Sequence, residues 1–201
     1  LDAGAKPLSA GGDHSITYPI LKALGRSEPV GMVHIDAHCD TAGEYDDCKF
    51  HHGGPFRLAV LDGVLDPERS VQIGIRGSSE IIWEFSYASG MTVIHIEDVM
   101  RDGMDAVIAQ TLRVLGDGPV YVTIDVDGFD PAYAPGTGTP EIGGLTPREG
   151  LKLLRGLGGI NVIGGDLVEV APQYDPSTVT AQLGAQMMFE ILCLMAQAAS
   201  G

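Results

Sequence analysis

Basic residues are scarce: lysine and arginine make up 12 of the 201 residues, against 27 aspartates and glutamates, and the formal net charge is -15. Such a surface repels a phosphate backbone or an anionic bilayer, so neither nucleic acid nor a membrane is expected as a partner. It permits a cationic small-molecule substrate. Cysteine is also rare. Cys39, Cys48 and Cys193 form no CxxC pair and leave one thiol over after any single disulfide, which argues against a zinc knuckle and a secreted disulfide framework. A reducing cytoplasm is the expected setting. No uninterrupted apolar run reaches the ~18 residues of a membrane span, and no basic-then-apolar leader pattern opens the chain. The sequence begins at Leu1 rather than at a methionine, with few residues before its first strand. A fragment of a longer protein, lacking its N-terminal strands, is therefore expected.

What is present is a 44% hydrophobic chain, long enough for one sizeable core and short for two enzymatic units, so a single domain over residues 1–201 is expected. Short apolar runs alternate with amphipathic stretches, the pattern of a parallel sheet flanked by helices. Strands are expected at Pro7–Ala10, Gly31–Asp36, Val71–Ile75, Thr92–Ile96, Val120–Asp125 and Val162–Val170. Helices are expected at Ser15–Leu24, Pro55–Leu61, Ser79–Ala88, Asp102–Leu115, Pro147–Gly156 and Ser177–Ala199. Thr146-Pro147 supplies an N-cap and a first-turn proline. The segment from Asp130 to Gly144 is too rich in proline and glycine for a helix or a central strand and reads as a long ordered loop.

Two strand exits carry metal-capable side chains. In His34-Ile35-Asp36-Ala37-His38-Cys39-Asp40, the period of two places Asp36, His38 and Asp40 on one side. Asp125-Val126-Asp127 repeats the pattern at the end of another apolar strand. Four carboxylates gathered without a counter-charge would repel and desolvate badly, so a cation is expected between them, and more than one. His14, in the Gly-Gly-Asp-His-Ser run after the first strand, is the natural sixth ligand, with Asp13 beside it to orient its imidazole. A carboxylate-dominated set with some imidazole suits manganese better than zinc. Isolated Asp-x-Asp and Asp-x-His pairs often serve only as turn devices; the shared parity and strand polarity of these favour metal. His34 has the ligands' parity but lies deeper, so it reads as a buried, hydrogen-bonded histidine, as does His95. Cys39, of opposite parity, reads as packing, and Met187, Met188 and Met195 as core or subunit contact.

Five ordered motifs, GGDHS, HIDAHCD, HHGGPF, TIDVDGFDPAYAPGTGTPEIGGLT and DLVEVAPQYD, resemble those of the ureohydrolase family, the arginase and agmatinase group, and span nearly the whole chain. The resemblance implies a three-layer arginase-like α/β fold with two manganese ions per subunit at the carboxyl ends of its strands. Carried over by position, one ion takes His14, Asp36, Asp40 and Asp125, and the other Asp36, His38, Asp125 and Asp127, with Asp36 and Asp125 bridging. Two such ions would let a shared water ionise near neutral pH and attack a guanidinium carbon, releasing urea and an amine. The resemblance further gives Asp40 a catalytic role beside the attacking water, His52 an acid/base and substrate-binding role, and Glu169 the pairing with the guanidinium.

The wording of HHGGPF, PGTGTPEIGG and MMFEILCLMA looks closer to agmatinases and guanidino-acid hydrolases such as guanidinobutyrase than to arginase. Homo-oligomers, trimers or hexamers, are implied as well, with the C-terminal helix a candidate contact. Family members are longer, which would leave the first strand at a sheet edge, and Ala10 stands where the family usually has a larger apolar residue. Two other readings compete: a deacetylase-like enzyme with a single zinc on a related scaffold, and a non-catalytic, metal-stabilised subunit.

Overall fold

Valine- and isoleucine-rich strands buried on both faces need helices above and below them, and that is the architecture of the computed structural model, which describes residues 4–77 and 80–200. Six parallel strands form one sheet: β1 (Leu8–Ala10), β2 (Val30–Ile35), β3 (Leu65–Ile75), β4 (Thr92–His95), β5 (Val120–Asp125) and β6 (Val162–Val168). Their order across the sheet is β1-β6-β5-β2-β3-β4. The two strands that end in acidic motifs, β2 and β5, are therefore neighbours at the centre, paired as Ile35 with Ile124, and β1 lies at one edge.

Among the described residues, seven α-helices surround the sheet: α1 (Thr17–Leu24), α2 (Pro55–Leu61), α3 (Glu80–Ser89), α4 (Ile96–Asp102), α5 (Met104–Leu115), α6 (Pro147–Gly156) and α7 (Val179–Ala198). Alternation along the strands divides the core in two. Val33, Ile35, Val122 and Ile124 face Leu115, Leu153, Met187 and Ile191 of α5, α6 and α7. Met32 and Tyr121, of the other parity, pack with Leu21 of α1 and Phe56 of α2. The second face also carries His34, Thr123, Asp36 and Asp125, so it holds the polar chemistry.

The three-layer expectation stands, with local corrections. β3 begins six residues earlier than expected, because Pro67 and its polar neighbours hide the strand. They are tolerated because the register with β2 jumps from Val30–Leu65 to Met32–Ser70, and β4 pairs only from Val71 onward. The helix expected over Asp102–Leu115 is α5, starting two residues later at Met104, and α4 before it has no counterpart among the expected helices. Gly103 adopts φ 79 and separates α4 from α5. Ile96 opens α4 rather than ending β4, because His95 and Asp98 form a reciprocal cap. Ser79, the expected start of α3, lies outside the described residues. α6 has its expected bounds and a capping box between Thr146 and Glu149. α7 is long and apolar enough to cross a membrane by length and composition, yet 44% of its most apolar window is buried in this fold.

Candidate binuclear metal centre

All strands of a parallel sheet end on one side, so the loops after β1, β2, β5 and β6 converge without further instruction. Backbone bonds tie them together: Gly11 N–H donates to Leu167 O at 2.9 Å, Glu169 N–H to Gly12 O at 2.9 Å and Asp36 N–H to Ile73 O at 3.1 Å. Gly128, in the turn after β5, has no room for a side chain, because a Cβ there would sit 2.9 Å from the backbone nitrogen of Asp36. The two acidic turns are thereby pressed against each other.

Within each turn the first aspartate uses one oxygen locally and turns the other inward. Asp36 Oδ1 accepts from His38 N–H at 2.6 Å and Asp125 Oδ1 from Asp127 N–H at 2.9 Å. The Oδ2 atoms of Asp36, Asp40 and Asp125 stand 3.3, 2.8 and 3.5 Å from His14 Nδ1. His38 Nδ1 lies 3.4 Å from Asp36 Oδ1 and 3.1 Å from Asp127 Oδ2. The turn role and the inward role thus coexist in the same side chains. Three groups result, each gathering its candidate ligand atoms within 4.8 Å: His14 with Asp36, Asp40 and Asp125, Asp36 with His38 and Asp127, and His14 with His34 and Asp36. All six sequence-derived candidate ligands fall in the first two groups, and Asp36 belongs to both, whereas Asp125, expected in both, is gathered only with His14, Asp36 and Asp40.

The electrostatics are those of buried carboxylates and imidazoles crowded against one another. Burial together with the charges of Asp127 and Asp36 drives the Asp125 carboxyl well above its ordinary range, and burial with the charge of Asp36 pushes Asp127 up to about 6. Burial opposes ionisation of Asp36 too, but His34, His14 and His38 outweigh it and hold that carboxyl well down. Burial likewise disfavours charged His14, yet Asp125, Asp36 and Asp40 raise its pKa well above the histidine range. Despite these neighbours, His14 Nδ1 is a buried polar atom with no hydrogen-bond partner of acceptable geometry. A ring nitrogen aimed at three carboxylate oxygens with nothing to bond fits a cation, and the oxygen-rich donor set fits a hard divalent ion.

The remaining site residues line up around this cluster. His52 Nδ1 lies 3.2 Å from Glu169 Oε1, which also accepts from the backbone N–H of His14 at 2.8 Å. That pairing with Glu169, opposed by partial burial, raises the His52 pKa. His51 instead meets the carbonyl of Gly43 at 2.8 Å and points away. A cavity of about 180 Å³ is lined by His38, Asp40, His52, Ile82, Asp125 and Thr139. A larger apolar one of about 390 Å³, beside Pro7 and Ile20, is remote from the carboxylates. Asp40 and Glu169 both adopt left-handed backbone conformations, φ 50 and 64, which are uncommon for non-glycine residues and least so for aspartate.

Asp13 is a correction. Its carboxylate accepts from the backbone N–H and hydroxyl of Ser15, capping the short turn after β1, and does not touch the His14 ring. The ring is held from behind by Thr123, whose hydroxyl lies 2.9 Å from His14 Nε2. Sequence reasoning missed Thr123, and also Gln72, Thr139 and Arg76. Thr139 donates to Asp127 Oδ2 at 3.0 Å. Arg76 donates to the carbonyls of Asp127 and Glu141 at 2.7 and 2.6 Å, fastening the turn after β5 to the Asp130–Gly144 loop. Thr123 had a visible signal, being two residues before Asp125 on the same side of β5; Arg76 had none. His34 is buried and hydrogen-bonded as expected, to Asp36 Oδ2 at 2.6 Å and Gln72 Nε2 at 3.0 Å. Cys39 is fully buried, its thiol pushed up to about 12 chiefly by burial.

The fold and the clustered side chains define an α/β protein with a buried His/Asp cluster fit to hold metal at the carboxyl edge of its sheet. The chain belongs to the arginase family, whose sequence pattern matches residues 1–194. It is 53% identical over 201 residues to guanidinopropionase of Pseudomonas aeruginosa, covering 98% of this chain and 63% of that protein. Against the mitochondrial agmatinase of Gallus gallus the identity is 51% over 196 residues, covering 96% and 58%. Proclavaminate amidino hydrolase from Streptomyces clavuligerus superposes with a TM-score of 0.91 at 38% identity, over 95% of this chain and 64% of that structure. The chain thus spans about three fifths of the length of these curated relatives, 63% and 58%.

Proposed function

We propose that this chain carries the two-manganese centre of an amidinohydrolase that cleaves a guanidino compound to urea and an amine. The substrate is agmatine or a guanidino acid such as 4-guanidinobutanoate or 3-guanidinopropanoate. The observation that carries this reading is the pair of ligand groups sharing Asp36, one of which leaves His14 Nδ1 without a hydrogen-bond partner. A single-zinc centre would satisfy one group and leave the other as uncompensated buried charge.

When bound, the two ions supply Lewis acidity that brings the pKa of the attacking water down to about 7. Glu169, with both of its protein hydrogen bonds on Oε1, pairs with the guanidinium and aligns its carbon over the cluster. Asp40, at the rim of the cavity, takes the proton released as water adds. His52, paired with Glu169 through Nδ1, carries a proton on Nε2 to the departing amine. Formation of the carbon–oxygen bond and breakage of one carbon–nitrogen bond then yield urea and the amine. A homo-oligomer, trimer or hexamer, belongs to the same reading, with exposed Phe189 and Leu192 of α7 as contact candidates. So does a cytoplasmic setting, where the three free thiols stay reduced.

Urea release from agmatine, 4-guanidinobutanoate, 3-guanidinopropanoate and arginine, each with manganese, tests the reading. Activity on one of the first three is expected. Urea from arginine alone would overturn the substrate class, and activation by zinc but not manganese would overturn the metal choice. No urea from any of the four at full metal loading would favour a non-catalytic subunit.

A further inference from the structure

One layer beneath the candidate ligands, a row of polar side chains crosses four strands. The register pairs Asp166 of β6 with Thr123 of β5, Thr123 with His34 of β2, and His34 with Gln72 of β3. All four are fully buried. In the middle of a sheet such a row costs desolvation free energy at every position, so each member needs a partner. Asp166 stands out because it is a buried carboxylate whose partners are hydroxyl groups. Thr17 and Tyr121 donate to its Oδ2 at 2.7 and 2.8 Å, and Thr123 donates to its Oδ1 at 2.5 Å.

A hydroxyl has one proton to give. Because Thr123 spends its proton on Asp166, its oxygen can only accept at the 2.9 Å contact with His14 Nε2. Nε2 must therefore carry the ring proton, and in the neutral imidazole the lone pair falls on Nδ1, the atom that faces Asp36, Asp40 and Asp125. Phe56, edge-on at 5.1 Å, blocks rotation of the ring out of this plane.

We propose that Thr123 and Asp166 are positioning residues of the centre, fixing the His14 imidazole so that its Nδ1 lone pair is presented to a divalent cation. The inference rests on the two-metal reading above and assigns a role to a buried carboxylate that touches neither ion nor substrate. Tyr121 and Thr17 complete the device by orienting Asp166 toward Thr123. The other end of the row works in parallel: Gln72 donates to His34 Nδ1, which leaves Nε2–H of His34 to donate to Asp36.

The test measures manganese affinity of the full chain by chelator competition, together with 15N shifts of the His14 ring in the cadmium-loaded protein. Thr123→Val and Asp166→Asn are each expected to weaken one of two sites by about 10–100-fold, the usual cost of losing a group behind a histidine ligand. Both variants should shift the His14 nitrogen signals, Thr123→Ser should restore affinity and shifts, and the double variant should be no weaker than the worse single one. Variants that lose melting temperature alone, with both affinities and the His14 signals unchanged, would overturn the inference and leave the two-metal reading intact. Failure of the unaltered chain to bind two ions would overturn that reading and the inference with it.

Discussion

The two halves of the cluster meet at Asp36 but are held by different parts of the molecule. His14 is wholly buried, flanked by Phe56 and His34 and backed by Thr123 from the central sheet. His38 keeps 17% of its side chain exposed and leans on loops: a Cβ on Gly77 would come within 2.6 Å of its ring, and Glu141 Oε1 lies 3.7 Å from Nε2. Its partner Asp127 is steadied by Thr139 and, through the backbone, by Arg76. A core is close-packed and resists displacement, whereas a loop holds its shape through a few hydrogen bonds. The inner half is therefore fixed by the sheet, and the outer half depends on a handful of contacts that can be removed one at a time.

The most severe way to break this contrast is to remove what the halves share. Asp36→Asn should abolish binding at both and reduce urea formation by more than the ~100-fold that loss of a group behind a ligand costs. Metal stoichiometry and urea assay check this, and two retained equivalents would show that the halves do not depend on a common carboxylate. Arg76→Met is milder. Losing donors to buried carbonyls should cost about 1–3 kcal/mol in a denaturant titration, and metal affinity should fall at the outer half alone. Equal weakening of both would contradict the division into sheet-held and loop-held halves.

Outside both halves, the His52–Glu169 pair has its own signature. A histidine whose folded pKa is raised contributes stability that is fully present below its unfolded value and is lost as pH rises through the folded one. Glu169→Gln should lower the His52 midpoint, followed by its imidazole proton resonance against pH, because Glu169 is the first cause of the upward shift. An unmoved midpoint would mean that the pair does not form in solution. The smallest effect is reserved for Thr146→Ala at the start of α6. Loss of that cap should cost about 1 kcal/mol and leave both metal affinities unaltered; a change in either would mean that the cluster senses helix ends far from it.

Much of this arrangement was readable from the chain. The period of two in His34–Asp40 and in Val120–Asp127 is a local property, so it fixes which side chains share a face, and apolar strands connected by helices imply parallel order. The N-cap at Thr146 and the bounds of α2 and α6 are legible for the same reason, whereas the reciprocal bond from Glu149 is seen only in the structure. The first half of β3 is not legible because it is polar and governed by a register jump against β2. α4 is not legible because Ile96 continues the apolar strand pattern, and only the cap between His95 and Asp98 turns the chain into a helix there. The expectation that Asp13 orients His14 rests on adjacency alone, and adjacency along the chain does not decide which way a ring turns.

The sequence by itself determined the candidate ligand types, their parity and their place at strand ends, since these follow from spacing and from the cost of gathering carboxylates without a cation. Only the tertiary structure decided what holds each ligand. Pairing Asp166 with Thr123, and Arg76 with the carbonyls of Asp127 and Glu141, requires strand order and loop closure, which arise from contacts between residues 43 and 65 positions apart, such as Thr123 with Asp166 and Arg76 with Glu141. No local pattern encodes those separations, because they express how the whole core packs rather than how any one segment prefers to fold.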